Sequence, residues 1–495
     1  MIEHIVNGFS LTFGLSNLLL MSLGMFIGIV VGAIPGLNSM QLIPISIPFT
    51  FWMKPHLALM FLLSEYVGSI YGGSISAILI NTPGTPAAVA TVIDGYPLAK
   101  QGKSGKALKM ALYSSIFGDI FSTCVLIVGA VVLARIAMKF GPAEMAAVIL
   151  FSLTLTATVL GKSIIKGLIA AVGGLILGVV GSDPITGTPR MMFSVYELSQ
   201  GIGLVPVIMG LFAVSEVFVQ LERKFTTRKI KGHLPESPKK EDQRVSLREF
   251  LSVKRSVFLG TIVGTFFGTI PGVGASASAF AAYSVAQRTS RNPEKFGNGC
   301  LEGIASVEAA NNATTASALI PFLTLGIPGC ATVAVLAAAF MLHGVIPGPL
   351  IFVQHGDVVY SIFIGLLFVN VLMLFEAQLG MNICRKIVTG VPTGIIFPIV
   401  FVLCATGTYS VSHSVVDVIL MLGFGLMGYV MYKYEYPAAP LLISFILSPI
   451  FEQAMRQALV ISHGSPMVFF RHPIALVFVI LTLISLVLIS FLIRR

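Results

Sequence analysis

The chain has 495 residues, 31 of them Lys or Arg and 21 Asp or Glu, so 11% carry charge against 56% hydrophobic, at a mean hydropathy of +0.93. A soluble domain carries roughly 25% charged and 45–50% apolar residues, so this composition excludes a water-soluble globule. Apolar runs such as 116–134 and 474–492 each suffice for a bilayer core of ~20 helical residues, which makes the chain a polytopic membrane protein.

The N-terminus, Met1-Ile2-Glu3-His4, has no basic stretch, so the first span is expected to insert and stay. Gly24, Gly28 and Gly32 lie one helical face apart and lead into Ile34-Pro35-Gly36-Leu37-Asn38-Ser39. Small residues four apart let helices approach closely. Tyr71-Gly72-Gly73-Ser74-Ile75-Ser76 then precedes a second interruption, Asn81-Thr82-Pro83-Gly84-Thr85-Pro86, and the 94–109 connection holds Lys100, Lys103, Lys106 and Lys109.

Residues 222–255 form the one long polar stretch, with eleven Lys/Arg against five acids, or +6 of the net +10. Beside membrane helices, the positive-inside rule explains that charge better than nucleic acid does, so the loop is read as a cytoplasmic linker. The second half then opens as the first did. Seven of the fifteen positions 23–37 recur identically at 259–273, including Gly260, Gly264, Gly268 and Pro271-Gly272. Gly326-Ile327-Pro328-Gly329 answers Asn81-Thr82-Pro83-Gly84, and an acid precedes each (Glu308, Glu65). The order of basic connections is reversed, since 287–298 holds Arg288, Arg291 and Lys295 while 343–357 has none. The expected fold is therefore all-α, with about 12 (10–14) transmembrane segments in two inverted repeats with re-entrant or broken helices. The expected division is 1–221 as first repeat, 222–255 as linker and 256–495 as second repeat plus C-terminal helices. The N-terminus would be periplasmic, and Arg494-Arg495 cytoplasmic.

The breaks carry the chemistry. Pro removes an N–H and Gly permits positive φ, so a helix stops and another starts with free N–H groups and a positive dipole end, which suit an anion. Asn38, Ser39, Ser74, Ser76, Asn81, Thr85, Gly272, Gly274, Ser276, Ser278, Asn311, Asn312, Thr315 and Gly329 lie in or beside the breaks and are the candidate substrate-binding residues. Glu65 and Glu308 are either internally hydrogen-bonded acids or a cation or proton site. A carboxylate would repel an anionic ligand, so a coupling ion suits them better; Na⁺ near Glu65, Asn81, Glu308 and Asn312 is one form of that expectation. Asp119, Glu216, Glu376 and Asp417 are further intramembrane acids.

The five cysteines (124, 300, 330, 384, 404) are scattered with no Cys-x-x-Cys and are read as packing residues. Gly102-Lys103-Ser104 lacks the first glycine of a P-loop, and no catalytic motif is present. No enzyme activity and no cofactor are expected, and the energy source is an ion gradient.

Several motifs in order resemble the large membrane subunit of tripartite tricarboxylate transporters. They run from Tyr71-Gly72-Gly73-Ser74 to Asn81-Thr82-Pro83-Gly84, through Asp94-Gly95-Tyr96-Pro97, to Gly268-Thr269-Ile270-Pro271-Gly272-Val273-Gly274. Phe296-Gly297-Asn298-Gly299, Glu308-Ala309-Ala310-Asn311-Asn312 and Leu325-Gly326-Ile327-Pro328-Gly329 complete the set. The resemblance implies a secondary transporter of the bacterial inner membrane that imports di- or tricarboxylates with Na⁺ or H⁺. A periplasmic solute-binding protein would deliver the substrate, and a small membrane subunit of about four helices would complete the complex. Asn38-Ser39-Met40, Thr315-Ala316-Ser317 and Cys330 depart from the family pattern beside the breaks, and so bear on which carboxylate is bound. The alternative is a stand-alone ion-coupled carrier for another small metabolite.

Overall fold

A computed structural model describes residues 2–159, 163–183, 185–224, 237, 239–390 and 393–493. The middle of the 222–255 linker and Arg494-Arg495 lie outside the described residues. The first half runs through α1 (Ile2–Thr12), α2 (Leu15–Gly32), α3 (Ser39–Thr50), α4 (Pro55–Ile80), α5 (Ala88–Lys100), α6 (Ser104–Ala137), α7 (Pro142–Val159) and α8 (Ile164–Gly178). A small antiparallel hairpin, β1 (Gly181–Ser182) with β2 (Pro189–Arg190), follows. Next, α9 (Leu204–Ile208) passes through a π-helical stretch (Met209–Val214) into α10 (Ser215–Lys224).

After α11 (Leu247–Ser252), the second half repeats the order. It comprises α12 (Lys254–Thr269), α13 (Gly274–Thr289), α14 (Leu301–Ser317), α15 (Leu319–Leu325), α16 (Ala331–Leu342), α17 (Ile351–Gln354) and α18 (Gly356–Gly390). The chain ends with α19 (Thr393–Ser412), α20 (Val415–Lys433), α21 (Ala438–Ile461), α22 (Val468–Arg471) and α23 (Pro473–Ile493). Among the described residues, six stretches are long and apolar enough to cross a membrane: α2, α6, Leu204–Glu222, Gly356–Gly380, α20 and α21. Five shorter apolar helices accompany them. The protein is a multi-pass, all-α membrane protein.

The glycine stripes set the packing. A Cβ at Gly24, Gly28 or Gly32 would strike the backbone of Phe61, Glu65 or Ser69 on α4. At Gly260, Gly264 or Gly268 it would strike Ser306, Ala310 or Thr314 and Ser317 on α14. Residue numbers rise together in both pairs, so α2 runs parallel to α4, and α12 to α14. Parallel neighbours require the helix between them to return to the starting side, so α2–α3 and α12–α13 are re-entrant hairpins whose tips are Pro35-Gly36 and Pro271-Gly272. The register also separates two residues that look equivalent in sequence. Glu65 lies opposite Gly28, but the residue opposite its counterpart Gly264 is Ala310, so Glu308 sits two positions earlier in its repeat.

The repeats are inverted. Thr85 packs on Gly73 and Gly95 on Ile78, so α5 continues in the direction of α4. Against α14 it runs the other way, because Thr91 reaches Glu308 while Asp94 reaches the Cys300 N–H. Hence α4 and α14 are antiparallel. Three basic segments consequently gather at one end. There the Lys106 ammonium meets the Glu249 carboxylate at 2.6 Å, Gln243 donates to the Gly102 carbonyl at 2.8 Å, and Gln101 donates to the Asn298 carbonyl at 2.9 Å. The opposite end joins Thr50 to His343 at 3.1 Å and His4 to Asp357 at 2.7 Å. The β1–β2 hairpin shares that end. Its Asp183 is gripped by Arg190 and, at 2.8 Å, by Arg456, and Arg190 also donates to Glu452 of α21 at 2.8 Å.

Candidate functional site

Each break is fixed by local chemistry. Asn38 caps α3 by accepting from the Met40 N–H at 2.8 Å while Gln41 accepts from the Asn38 N–H at 3.0 Å, a reciprocal capping box. Asn81 (φ 58) stops α4 in the left-handed region, and Gly272 (φ 86) and Gly274 (φ 69) turn the second hairpin tip. Gly272 donates its N–H to the Gly329 carbonyl at 2.9 Å, which ties two breaks of the second repeat together.

All four breaks meet around one cavity of about 420 Å³. Asn38, Ser39, Thr85, Gly274 and Ser276 line it. Ser39 Oγ lies 3.2 Å from Thr332 Oγ1, closing the cavity between the repeats. The helices α3, α5, α13 and α16 all begin at its wall, and so does α21, through Pro437, Ala438 and Ala439. Five helix N-termini therefore border one space with their positive dipole ends; α3 is already capped by Asn38 and α5 by Thr85, while α13, α16 and α21 have no side-chain cap. Among the described residues, no Lys or Arg lines that space. Its polar groups are neutral: hydroxyls, one amide, the Tyr66 phenol and the Cys330 thiol, the last two 3.6 Å apart.

The other sequence-derived candidates stand outside this lining. Ser74 donates to Glu308 at 2.7 Å, and Ser76 to the Gly73 carbonyl at 3.2 Å. Asn81 is exposed at the end of α4. Gly272 packs on Thr156, and Gly329 on the Ala318 backbone. Ser278 and Asn311 are fully buried, and Ser278 Oγ and both polar atoms of the Asn311 amide lack a partner. Asn311 shares a face of α14 with Val307, which packs with Ala87 and Ala279 near the cavity floor.

The acids occupy two separate places. Glu65 accepts from Ser46 at 2.7 Å through one oxygen, and its other oxygen is buried without a partner. Glu308 accepts from the hydroxyls of Ser74, Thr91 and Ser115, and Asn312 donates to Ser115 at 2.7 Å. Thr315 hydrogen-bonds Asp119, which also accepts from Asn370 at 2.7 Å. No cluster of three His, Cys, Asp or Glu side chains forms a metal site among the described residues.

Sequence reasoning missed Tyr66, Phe212, Thr332, the Pro437–Ala439 wall and the Asp119–Asn370 pair. Pro437-Ala438-Ala439-Pro440 in an apolar context is the same kind of signal as the other breaks and would have found the fifth helix start.

Inverted broken-helix repeats that meet around one cavity define the class as a transporter architecture. Residues 18–443 match the Tripartite tricarboxylate transporter TctA family, and the chain belongs to that family of transporters. It is 34% identical over 479 residues to an uncharacterized 52.8 kDa protein in the TAR-I ttuC′ 3′ region of Agrobacterium vitis, covering 96% of this chain and 93% of that one. A second protein of that organism, uncharacterized and in the TAR-II ttuC′ 3′ region, is 35% identical over 212 residues, 43% of this chain and 87% of its own length. No solved structure matches.

Proposed function

We propose that this chain is the large membrane subunit of an ion-coupled importer of di- or tricarboxylates in the bacterial inner membrane. In this reading a periplasmic binding protein delivers the substrate, and a small membrane subunit of about four helices completes the complex. The observation that carries it is the convergence of five helix N-termini on a cavity without a basic side chain. Such a space meets carboxylate charge with N–H dipoles and hydroxyls and releases it more readily than fixed arginines would. The basic end is the cytoplasmic one by the positive-inside rule. Na⁺ or H⁺ drives uptake, and Glu65 and Glu308 serve the coupling ion because a carboxylate in the cavity would repel the substrate.

The test is uptake of a panel of radiolabelled di- and tricarboxylates by cells expressing the chain, with and without Na⁺, and with and without the two partner subunits. Accumulation of at least one acid that needs all three subunits is expected. Uptake of a non-carboxylate by this chain alone favours the stand-alone carrier and overturns the tripartite reading. Ser276→Ala, which removes one cavity hydroxyl worth ~1 kcal/mol, raises KM about fivefold with membrane insertion unchanged; an unaltered KM removes Ser276 from the site.

A further inference from the structure

The transport reading leaves the fully buried Asp119 unused. Asp119 of α6 has partners on two other helices: Asn370 of α18 donates Nδ2–H to its Oδ2 at 2.7 Å, and Thr315 of α14 meets its Oδ1. Thr315 Oγ1 is also 2.6 Å from the Asn312 carbonyl. A threonine hydroxyl has a single hydrogen, and its oxygen can accept as well as donate. If that hydrogen goes to the carbonyl, the contact with Asp119 needs a hydrogen from the acid, and only the protonated carboxyl supplies one. Glu308 is balanced the other way. The hydroxyls of Ser74, Thr91 and Ser115 all point at it, which suits a carboxylate that only accepts.

Ser115 and Asn312 join the two acids. The Asn312 amide donates to Ser115 Oγ, which donates to Glu308 at 3.3 Å, while the Asn312 carbonyl is one of the two acceptors within reach of the Thr315 hydroxyl. Asn312 Oδ1 and Asn370 Oδ1 are buried acceptors without a donor, although the nitrogen of each amide is engaged in this network. An acceptor left open beside a protonated acid is where a water carrying the proton would bind. Tyr66 of α4 is the titratable group near enough to interact electrostatically with Asp119, and Glu308 of α14 is linked to it only through Ser115, Asn312 and Thr315. Among the described residues no Lys, Arg or His is hydrogen-bonded to either acid, and α5, α12 and α15 add no bond to Asp119.

We propose that Asp119 carries one proton in this conformer and exchanges it with water during transport, while Glu308 stays charged and feels the exchange through Asn312. This rests on the carrier reading above, names the coupling ion as H⁺ and places that proton on Asp119, with Glu308 responding to it instead of binding it. On release, the Asp119 O–H bond breaks, its electron pair stays on the carboxylate and the proton leaves on water as hydronium. The Thr315 hydroxyl then turns from the Asn312 carbonyl to Asp119, so the charge state of one acid changes the hydrogen bonding of the residue that supports the other.

Infrared spectroscopy of the purified full-length protein at neutral pH reads the proton without any substrate. A protonated-carboxyl C=O band is expected that vanishes in Asp119→Asn and survives in Glu308→Gln. Should Asp119→Asn fail to fold, labelling wild-type protein with ¹³C-carboxyl aspartate must shift the band, and labelling with glutamate must not. Absence of the band in wild type, or its persistence unshifted under the aspartate label, overturns the proposal. In proteoliposomes loaded with whichever carboxylate the uptake panel identifies, folded Asp119→Asn is expected to lose gradient-driven accumulation at least tenfold while keeping counterflow exchange. Loss of both makes Asp119 structural and overturns its coupling role. If no carboxylate is transported by wild type, the carrier reading fails, and the infrared result still decides the proton.

Discussion

Replacing Gly28 by alanine places a methyl where the α2–α4 contact has no room. The new Cβ would sit 2.5 Å from the Glu65 carbonyl oxygen and 3.0 Å from both the Glu65 Cα and the Ser69 amide nitrogen. Ordinary contact begins near 3.4 Å, and every one of these atoms is backbone, so the two helices must part by roughly 1 Å. Overpacking of this kind costs about 1–3 kcal/mol, against which alanine returns only ~0.5–1 kcal/mol of helix propensity. Gly173 of α8 is the matched control, since a Cβ there meets nothing within 4 Å and alanine should stabilise. The assay is the midpoint of heat-induced aggregation of detergent-solubilised protein, followed by size-exclusion fluorescence. Gly28→Ala lowers it by a few degrees, and Gly173→Ala leaves it unchanged or raises it. Equal midpoints for the two variants would refute close helix contact at the glycine stripe. Gly28→Ala should also depress uptake, because α2 carries the Pro35-Gly36 tip to the cavity wall.

At the basic end, burial pulls the Glu249 carboxyl up, but the Lys106 ammonium and the Ser246 N–H and hydroxyl outweigh it and hold the acid below its usual 4.5. A folded-state value below the unfolded one stabilises the docked α11 above pH ~4.5 and loses that contribution as pH falls through the depressed value. Amide exchange of residues 246–252 should therefore quicken under acid in wild type and show no such pH step in Glu249→Gln; a pH-independent wild type would contradict the pairing. At the other end, Asp183→Asn removes the more buried of the two carboxylates that Arg190 and Arg456 share and leaves them Glu452. It should loosen the hairpin by about 1.5–3 kcal/mol, the worth of a hydrogen bond to a charged group, read as faster protease nicking between 185 and 196 with the rest of the chain intact. Unchanged nicking would show that the ion cluster does not hold the hairpin.

Chain breaks were readable because Pro and Gly act locally: Pro35-Gly36, Pro83-Gly84, Pro271-Gly272 and Pro328-Gly329 end helices whatever surrounds them. The stripes were readable because a four-residue spacing of glycine has one packing consequence. Side-chain roles were less accessible. Ser39 and Ser74 both lie near breaks, yet helix rotation turns the first into the cavity and the second onto Glu308. Asn81 ends its helix facing outward because the left-handed turn there redirects the chain. Asp119 gains its meaning from Asn370, 251 residues away, and no local pattern foretells that meeting. Duplication showed that both halves contribute to one site, but the fifth helix start comes from Pro437, outside the duplicated motifs.

That fifth helix has a mechanical consequence. Ala438 stands at the cavity wall, and Glu452, fourteen residues on, holds Arg190 of the hairpin, so one helical segment about 20 Å long, with Pro449 inside it, connects the two at 1.5 Å per residue. Pivoted at its hairpin end, a tilt of about 5° carries Ala438 through roughly 2 Å, more than half the width of a water molecule. The hairpin and the cavity wall are thus opposite ends of a single helix, and Pro449 is the point along it where one end can bend against the other.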